Sequence, residues 1–238
     1  ISSEDSLATM AQYTQGGDKL HMGYSFELLT NDYSSEYIRT TVQTLEQRMT
    51  EGWPCWAFSN HDVERVASRW SENGEVNPQQ CKMLTALLAS LRGSVCMYQG
   101  EELGLEDAIN IPVERLQDPW GLEFAPSFFG RDSCRTPMVW NSNELNGGFS
   151  SAEETWLPVM DEHFNRSAFS QAGKSGSIYS QFSSFLKWRK TQPALMEENE
   201  MTVPTGGSKE IIFIRKSKKQ NLQCIFDFEQ LTTKFEEI

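Results

Sequence analysis

The chain has no run approaching the ~20 apolar residues that a membrane-crossing helix needs, and it opens without a signal-peptide pattern. No membrane partner is therefore expected. Positive charge is in short supply. Lys and Arg number 21 against 33 Asp and Glu, a formal net charge of -12. Nucleic acid and anionic membrane surfaces demand basic patches, so neither fits as a partner. A neutral substrate is compatible with that balance, and so is an acidic surface that only serves solubility. Cysteine is sparse and unpaired in pattern: Cys55, Cys81, Cys96, Cys134 and Cys224 are widely spaced, odd in number and include no CxxC. That excludes a legible disulfide framework or zinc site. Cys55 and Cys96 sit in apolar strand-like runs, where buried free thiols are expected. A reducing, cytoplasmic setting fits. Hydrophobic residues make up only 38% of the 238 positions, yet seven Trp, six Tyr and fourteen Phe argue against disorder. Exposed aromatics also serve as platforms for sugar rings, although most aromatics are core.

What is there is an ordered alternation of patterns. Residues 4–14 predict a helix with Leu7, Met10 and Ala11 on one side, Ser3 as its cap and Gly16-Gly17 as its stop. Leu20, Met22, Tyr24 and Phe26 alternate as in a strand over 20–26. Ile38, Val42, Leu45 and Met49 recur at helical spacing over 35–50, with Gly52 beyond. The apolar run Pro54-Cys55-Trp56-Ala57 opens a buried strand over 54–59. One or two helical turns fit 63–70. Asn77-Pro78, with Gln80 completing a capping box, opens a helix whose buried face holds Leu84, Leu87, Leu88 and Leu91. Gly93 ends it, and a strand over 94–98 follows.

Strand, helix, strand, helix, strand predicts an α/β fold with parallel strands and helical crossovers. Roughly seventy residues without a periodic pattern follow, holding five of the nine prolines, and a loop of that length is commonly functional. A helix is expected again near 177–191, with Ile178, Phe182, Phe185 and Leu186 buried. After Pro193 the period changes. Ile211 to Ile214 and Leu222 to Phe228 read as an antiparallel hairpin across the basic turn 216–221, and Thr232 to Phe235 as a third strand.

The strand over 54–59 ends in Asn60-His61-Asp62, with Arg65 one turn on. Polar residues at the tip of a buried strand stand at the rim, where ligands bind in α/β folds. On its own, such a tripeptide is more often a turn or a helix cap than a catalytic group.

Four motifs in order change that reading. Phe58-Ser59-Asn60-His61-Asp62-x-x-Arg65 resembles the fourth signature region of the α-amylase family of glycoside hydrolases (family 13). Gly93-x-x-x-x-Tyr98-x-Gly100-x-Glu102 resembles a second signature, at the eighth barrel strand. Gly130-Arg131-Asp132-x-Cys134-Arg135-Thr136-Pro137-Met138-x-Trp140 resembles a motif of the α-glucosidase and oligo-1,6-glucosidase branch, and Leu20-His21-Met22-x-Tyr24-x-Phe26-x-Leu28 resembles its sixth strand.

The resemblance implies the C-terminal part of a (β/α)₈ TIM barrel, strands six to eight, over 1–195. A truncated antiparallel β domain would follow over 196–238. It implies no cofactor and no metal held by these residues. The family carries out retaining hydrolysis with a strand-four Asp nucleophile and a strand-five Glu acid/base, carboxyls that retention holds about 5–5.5 Å apart. Neither motif occurs here, and Ile1 falls just after the place of the family Glu. The chain is expected to be inactive alone and to need a preceding half-barrel as partner, with a disaccharide or oligosaccharide as the parent's substrate.

By resemblance, Asp62 is the third family carboxylate, stabilising the oxocarbenium-like transition state. The plainer role is a cap for the 63–70 helix. His61 would donate to a hydroxyl of the same glucose, or else be a core histidine. Arg65 would reach the sugar or pair with Asp62. Asn60 is expected to support the turn. Glu102 would hold neighbouring loops or contact the sugar directly, Arg131, Asp132 and Arg135 are expected to brace the long loop, and Trp140 to line the pocket or pack. Trehalose-6-phosphate hydrolase, sucrose isomerase and glucosyl transferase remain alternatives for the parent. A non-catalytic fragment that self-associates through open sheet edges is the rival from another class.

Overall fold

The computed structural model describes residues 5–24, 26–49, 51–196 and 200–238. The expected cap Ser3 lies outside them. Among the described residues no helix is long and apolar enough to cross a membrane. The chain gathers into two compact units, Ile1–Phe58 with Lys82–Met97 and Ser184–Ile238, and Ser59–Cys81 with Tyr98–Ser183.

In the first unit, helix α1 (Ser6–Thr14) is capped by Asp5, whose carboxylate accepts the Ala8 N–H at 3.1 Å. Leu7, Met10 and Ala11 are buried on one side, as their spacing requires. Helix α2 (Ser35–Arg48) starts at Ser34, whose hydroxyl accepts the Tyr37 N–H at 3.0 Å. Ile38, Val42 and Leu45 are wholly buried along it. Strands β1 (Cys55–Trp56) and β2 (Ser94–Val95) pair in parallel. Gly23 joins Pro54 by a parallel bridge, so three segments lie side by side in chain order. Gly93 makes this approach possible: it sits at φ 123°, and a Cβ there would stand 2.4 Å from the Pro54 carbonyl oxygen.

The expectations for these strands need correction. Residues 20–26 form no strand among the described positions. Gly23 makes a parallel bridge to Pro54, and Leu20, Met22 and Phe26 are exposed. Alternation says which side chains would share a face, but a strand also needs hydrogen-bond partners along its length. The expected strands over 54–59 and 94–98 contract to two residues each. Cys96 is exposed, against the expected burial, whereas Cys55 is buried.

The same unit carries a four-stranded antiparallel sheet in the order β3 (Glu200–Met201), β4 (Glu210–Lys216), β5 (Asn221–Asp227), β6 (Thr232–Glu237). Its register pairs Phe213 with Cys224 and Ile211 with Phe226. Ile211, Phe213 and Arg215 are buried from β4, and Leu222, Cys224 and Phe226 from β5, a strict period of two. Arg215 is tolerated in this row because its guanidinium donates to the Ser90 carbonyl at 2.7 Å. From α2, Arg39 donates to the carbonyls of Gly207 and Glu210.

Helix α3 (Val66–Arg69) is a single turn, and α4 (Pro78–Leu88) begins where Asn77 accepts the N–H groups of Gln79 and Gln80. Gln80 does not close a capping box. Its amide donates instead to the buried Trp70 carbonyl at 2.6 Å. The second unit's long segment contains only short turns, among them α5 (Pro119–Phe124) and α6 (Asp132–Arg135). Its apolar contacts are small clusters such as Leu103, Leu105 and Met138. The helix Ile178–Arg189 buries Ile178, while Phe182, Phe185 and Leu186 are only half-buried, against the expected apolar face.

Candidate functional site

Asp62 follows β1 at the start of the second unit. Asn60 shapes the turn: its side-chain oxygen accepts the Asp62 N–H at 2.8 Å. The Asp62 carboxylate caps no helix. Its Oδ1 accepts from Arg131 Nη1 at 2.8 Å and from Arg135 Nη2 at 3.0 Å. The His61 ring Nε2 stands 3.6 Å from Oδ2. Arg135 also donates from Nε to the His61 carbonyl at 2.7 Å, so one guanidinium grips both residues of the turn. The carboxylate remains 41% exposed, and a group outside could therefore reach it.

Arg131 is itself held. Its Nε and Nη2 donate to the two oxygens of Asp118 at 2.8 and 3.1 Å, a bidentate pair, and its backbone N–H adds a third bond at 2.7 Å. That guanidinium holds the buried Asp118 carboxyl well below the usual range, and Asp118 in turn raises Arg131. Asp118 also caps α5 through the Trp120 N–H, and the Arg131 guanidinium lies over the Trp120 ring at 4.8 Å. Asp132, fully buried, accepts the N–H groups of Gln117 and Asp118 at 2.6 and 2.8 Å. A chain of contacts thus runs from Asp132 through Asp118 and Arg131 to Asp62.

Arg65 lies beneath this surface, 2% exposed, and makes no ion pair with Asp62. Its guanidinium hydrogen-bonds the Gln99 carbonyl and lies 5.4 Å from the Tyr98 ring centre. Its backbone N–H donates to Asp107, which also accepts the Ser133 hydroxyl. Tyr98 donates to the Cys134 carbonyl at 2.9 Å and Gln99 to that of Thr136 at 3.2 Å. The signature around Tyr98 and the one around Arg131 are therefore stitched together. Glu102 accepts the Gly100 N–H at 2.9 Å and so holds its own turn. Glu101 is buried, and loss of water pushes its carboxyl up to about 8, partly offset by the Ser59 hydroxyl. Trp140 is 53% exposed.

Sequence reasoning missed Asp118, Asp107 and Trp120. Asp118-Pro119 is a recognisable helix start, so the cap of α5 was legible. Its grip on Arg131, thirteen positions on, needs the folded loop.

The α-amylase catalytic-domain profile matches residues 2–198. A probable α-glucosidase of Rhizobium meliloti is 43% identical over 226 residues, spanning 94% of this chain and 40% of that protein. A glucan 1,6-α-glucosidase of Streptococcus dysgalactiae subsp. equisimilis is 30% identical over 197 residues, 74% of this chain and 36% of that one. Among solved structures, an α-glucosyl transfer enzyme superposes with a TM-score of 0.87 at 48% identity, covering 96% of this chain and 42% of that one. The chain belongs to the α-amylase family of glycoside hydrolases, among relatives named α-glucosidase and oligo-1,6-glucosidase. It spans about 40% of the length of the Rhizobium relative.

Proposed function

We propose that this chain is the C-terminal part of a retaining α-glucosidase that acts on short α-linked glucosides. Residues 1–195 would belong to its (β/α)₈ barrel and 196–238 to the antiparallel domain that follows. Three parallel segments in chain order, at Gly23, Cys55–Trp56 and Ser94–Val95, support the assignment to barrel strands six, seven and eight. A parallel layer this narrow is not self-sufficient, because parallel strands pack inside larger, covered sheets. That supports a preceding half-barrel as the structural partner, carrying the nucleophile and the acid/base.

The observation that carries the reading is the Asp62 carboxylate, fixed by Arg131 and Arg135 and still reachable from outside. A preorganised negative charge stabilises the positive charge that develops at the anomeric carbon without reorganising during the reaction. In this proposal His61 binds a hydroxyl of the same glucose. Arg65, being buried, acts by positioning the 98–107 segment and touches no sugar. Arg131, Asp132 and Arg135 hold Asp62 in place, Asn60 holds its turn, and Glu102 holds the strand-eight turn. The 48% identity to an α-glucosyl transfer enzyme favours one second reading, in which a sugar or other hydroxyl replaces water as acceptor.

The test is release of glucose from maltose or isomaltose by the full-length gene product. Asp62→Asn should lower kcat/KM by about 10²-fold or more, as loss of a preorganised charge does. The isolated chain should show no turnover, since the two groups that break the bond lie elsewhere. Full activity in the variant, or turnover by the purified chain, would sink the proposal.

A further inference from the structure

One stretch of the second unit is not accounted for by the roles above. Between residues 119 and 129, Trp120, Leu122, Phe124, Phe128 and Phe129 are all exposed. Surfaces of soluble proteins seldom concentrate large apolar side chains in this way without a binding role. Trp120 is also held in a defined pose. Its backbone N–H is fixed by Asp118, and its ring lies under the Arg131 guanidinium at 4.8 Å. Phe128 stands 6.5 Å from it, tilted by 48°. The same guanidinium donates to Asp62 at 2.8 Å. The indole is thus one side chain removed from the candidate carboxylate, and it is still 55% exposed.

We propose that Trp120, with Phe128 beside it, is the platform for the sugar ring on the leaving-group side of the scissile bond. This rests on the glucosidase reading and adds the group that recognises the second sugar. A pyranose presents a face of C–H groups and an edge of hydroxyls. The C–H face suits the electron-rich face of an indole, and the edge suits an adjacent guanidinium. Around Asp62 and His61 the groups are polar and read hydroxyls. The apolar ring lies against the same Arg131 guanidinium that holds Asp62, so a second sugar, next to the one at Asp62, would meet it. Its open exposure suits a ring that binds, leaves, and in transfer is replaced by an acceptor sugar.

The test compares two substrates of the full-length protein, maltose and α-glucosyl fluoride. Fluoride is too small to touch a platform, so the second substrate reports everything except this contact. Trp120→Ala should lower kcat/KM for maltose by roughly tenfold, the scale of one lost stacking contact. With α-glucosyl fluoride it should stay within about twofold. Trp120→Phe keeps a flat ring and should recover most of the maltose activity. An equal fall on both substrates would mean that Trp120 only supports the loop, and the inference fails. An unchanged kcat/KM for maltose also overturns it. If that result comes with conversion of a dimer to a monomer in sedimentation, the aromatic stretch is covered by a second copy instead. A wild type that cleaves neither substrate removes the glucosidase reading itself, and this inference with it.

Discussion

The C-terminal sheet and the long segment after residue 104 are built on opposite principles. In the sheet, every second residue of β4 and β5 is buried, and Phe213 stacks on Phe226 with ring centres 5.8 Å apart. Cohesion there comes from apolar area and a continuous ladder. Among the described residues the long segment has no ladder and only small apolar clusters. Its fixed points are buried carboxylates that accept backbone N–H groups: Asp132 from Gln117 and Asp118, Asp118 from Arg131, Asp107 from Arg65. Loops that carry function cannot be covered on both sides, so charge-assisted bonds do the work that apolar packing does elsewhere. The sheet can be changed without touching chemistry. In the proposed reading the segment cannot, because its bracing ends at Asp62.

That contrast can be broken at several points. Phe226→Ala should have the largest effect on stability, about 3–5 kcal/mol lost in denaturant unfolding of the full-length protein. The kcat/KM of the protein that remains folded should not change. A catalytic defect at full folding would show that the sheet also shapes the site. Asp132→Ala should cost less, about 2–3 kcal/mol, because it strands the buried Asp118 amide and the part-buried amide of Gln117. It should also depress activity, since Asp118 and Arg131 lose their anchor. A variant with normal kcat/KM would mean that Arg131 is held by Asp118 alone.

A third effect concerns pH. Glu101 has an ordinary value of 4.5, and burial raises it to about 8 in the folded chain. Between those values the folded state keeps a proton that the unfolded state has lost. Stability should therefore fall as pH rises from about 4.5 to about 8 and level off above. Glu101→Gln should flatten that slope in thermal melts taken across the window. A slope equal to wild type would assign the pH dependence to other groups.

Much of the secondary structure was legible, for a physical reason. Helical spacing in α2 and period-two burial in β4 and β5 are local consequences of where the apolar side chains fall. The strand at 20–26 was not, because alternation alone does not build a ladder: among the described residues the stretch contributes one bridge, at Gly23. Gln80 carries the residue type of a capping box, yet its amide goes to the Trp70 carbonyl, ten positions back. At the site, Asn60, His61, Asp62 and the two arginines of the 130–140 motif stand out by resemblance. Nothing in their spacing says that Arg131 and Arg135 meet on one oxygen of Asp62, since that contact spans about seventy positions.

The sequence alone determined the family, the helices that follow apolar period, the antiparallel hairpin and the candidate carboxylate, since motif and periodicity are written residue by residue. Only the tertiary structure decided that Arg65 is buried away from Asp62, that Asp118 holds Arg131, and that Trp120 lies against the same guanidinium. Those facts depend on which distant groups a folded loop brings within hydrogen-bonding distance, and on which charges it removes from water.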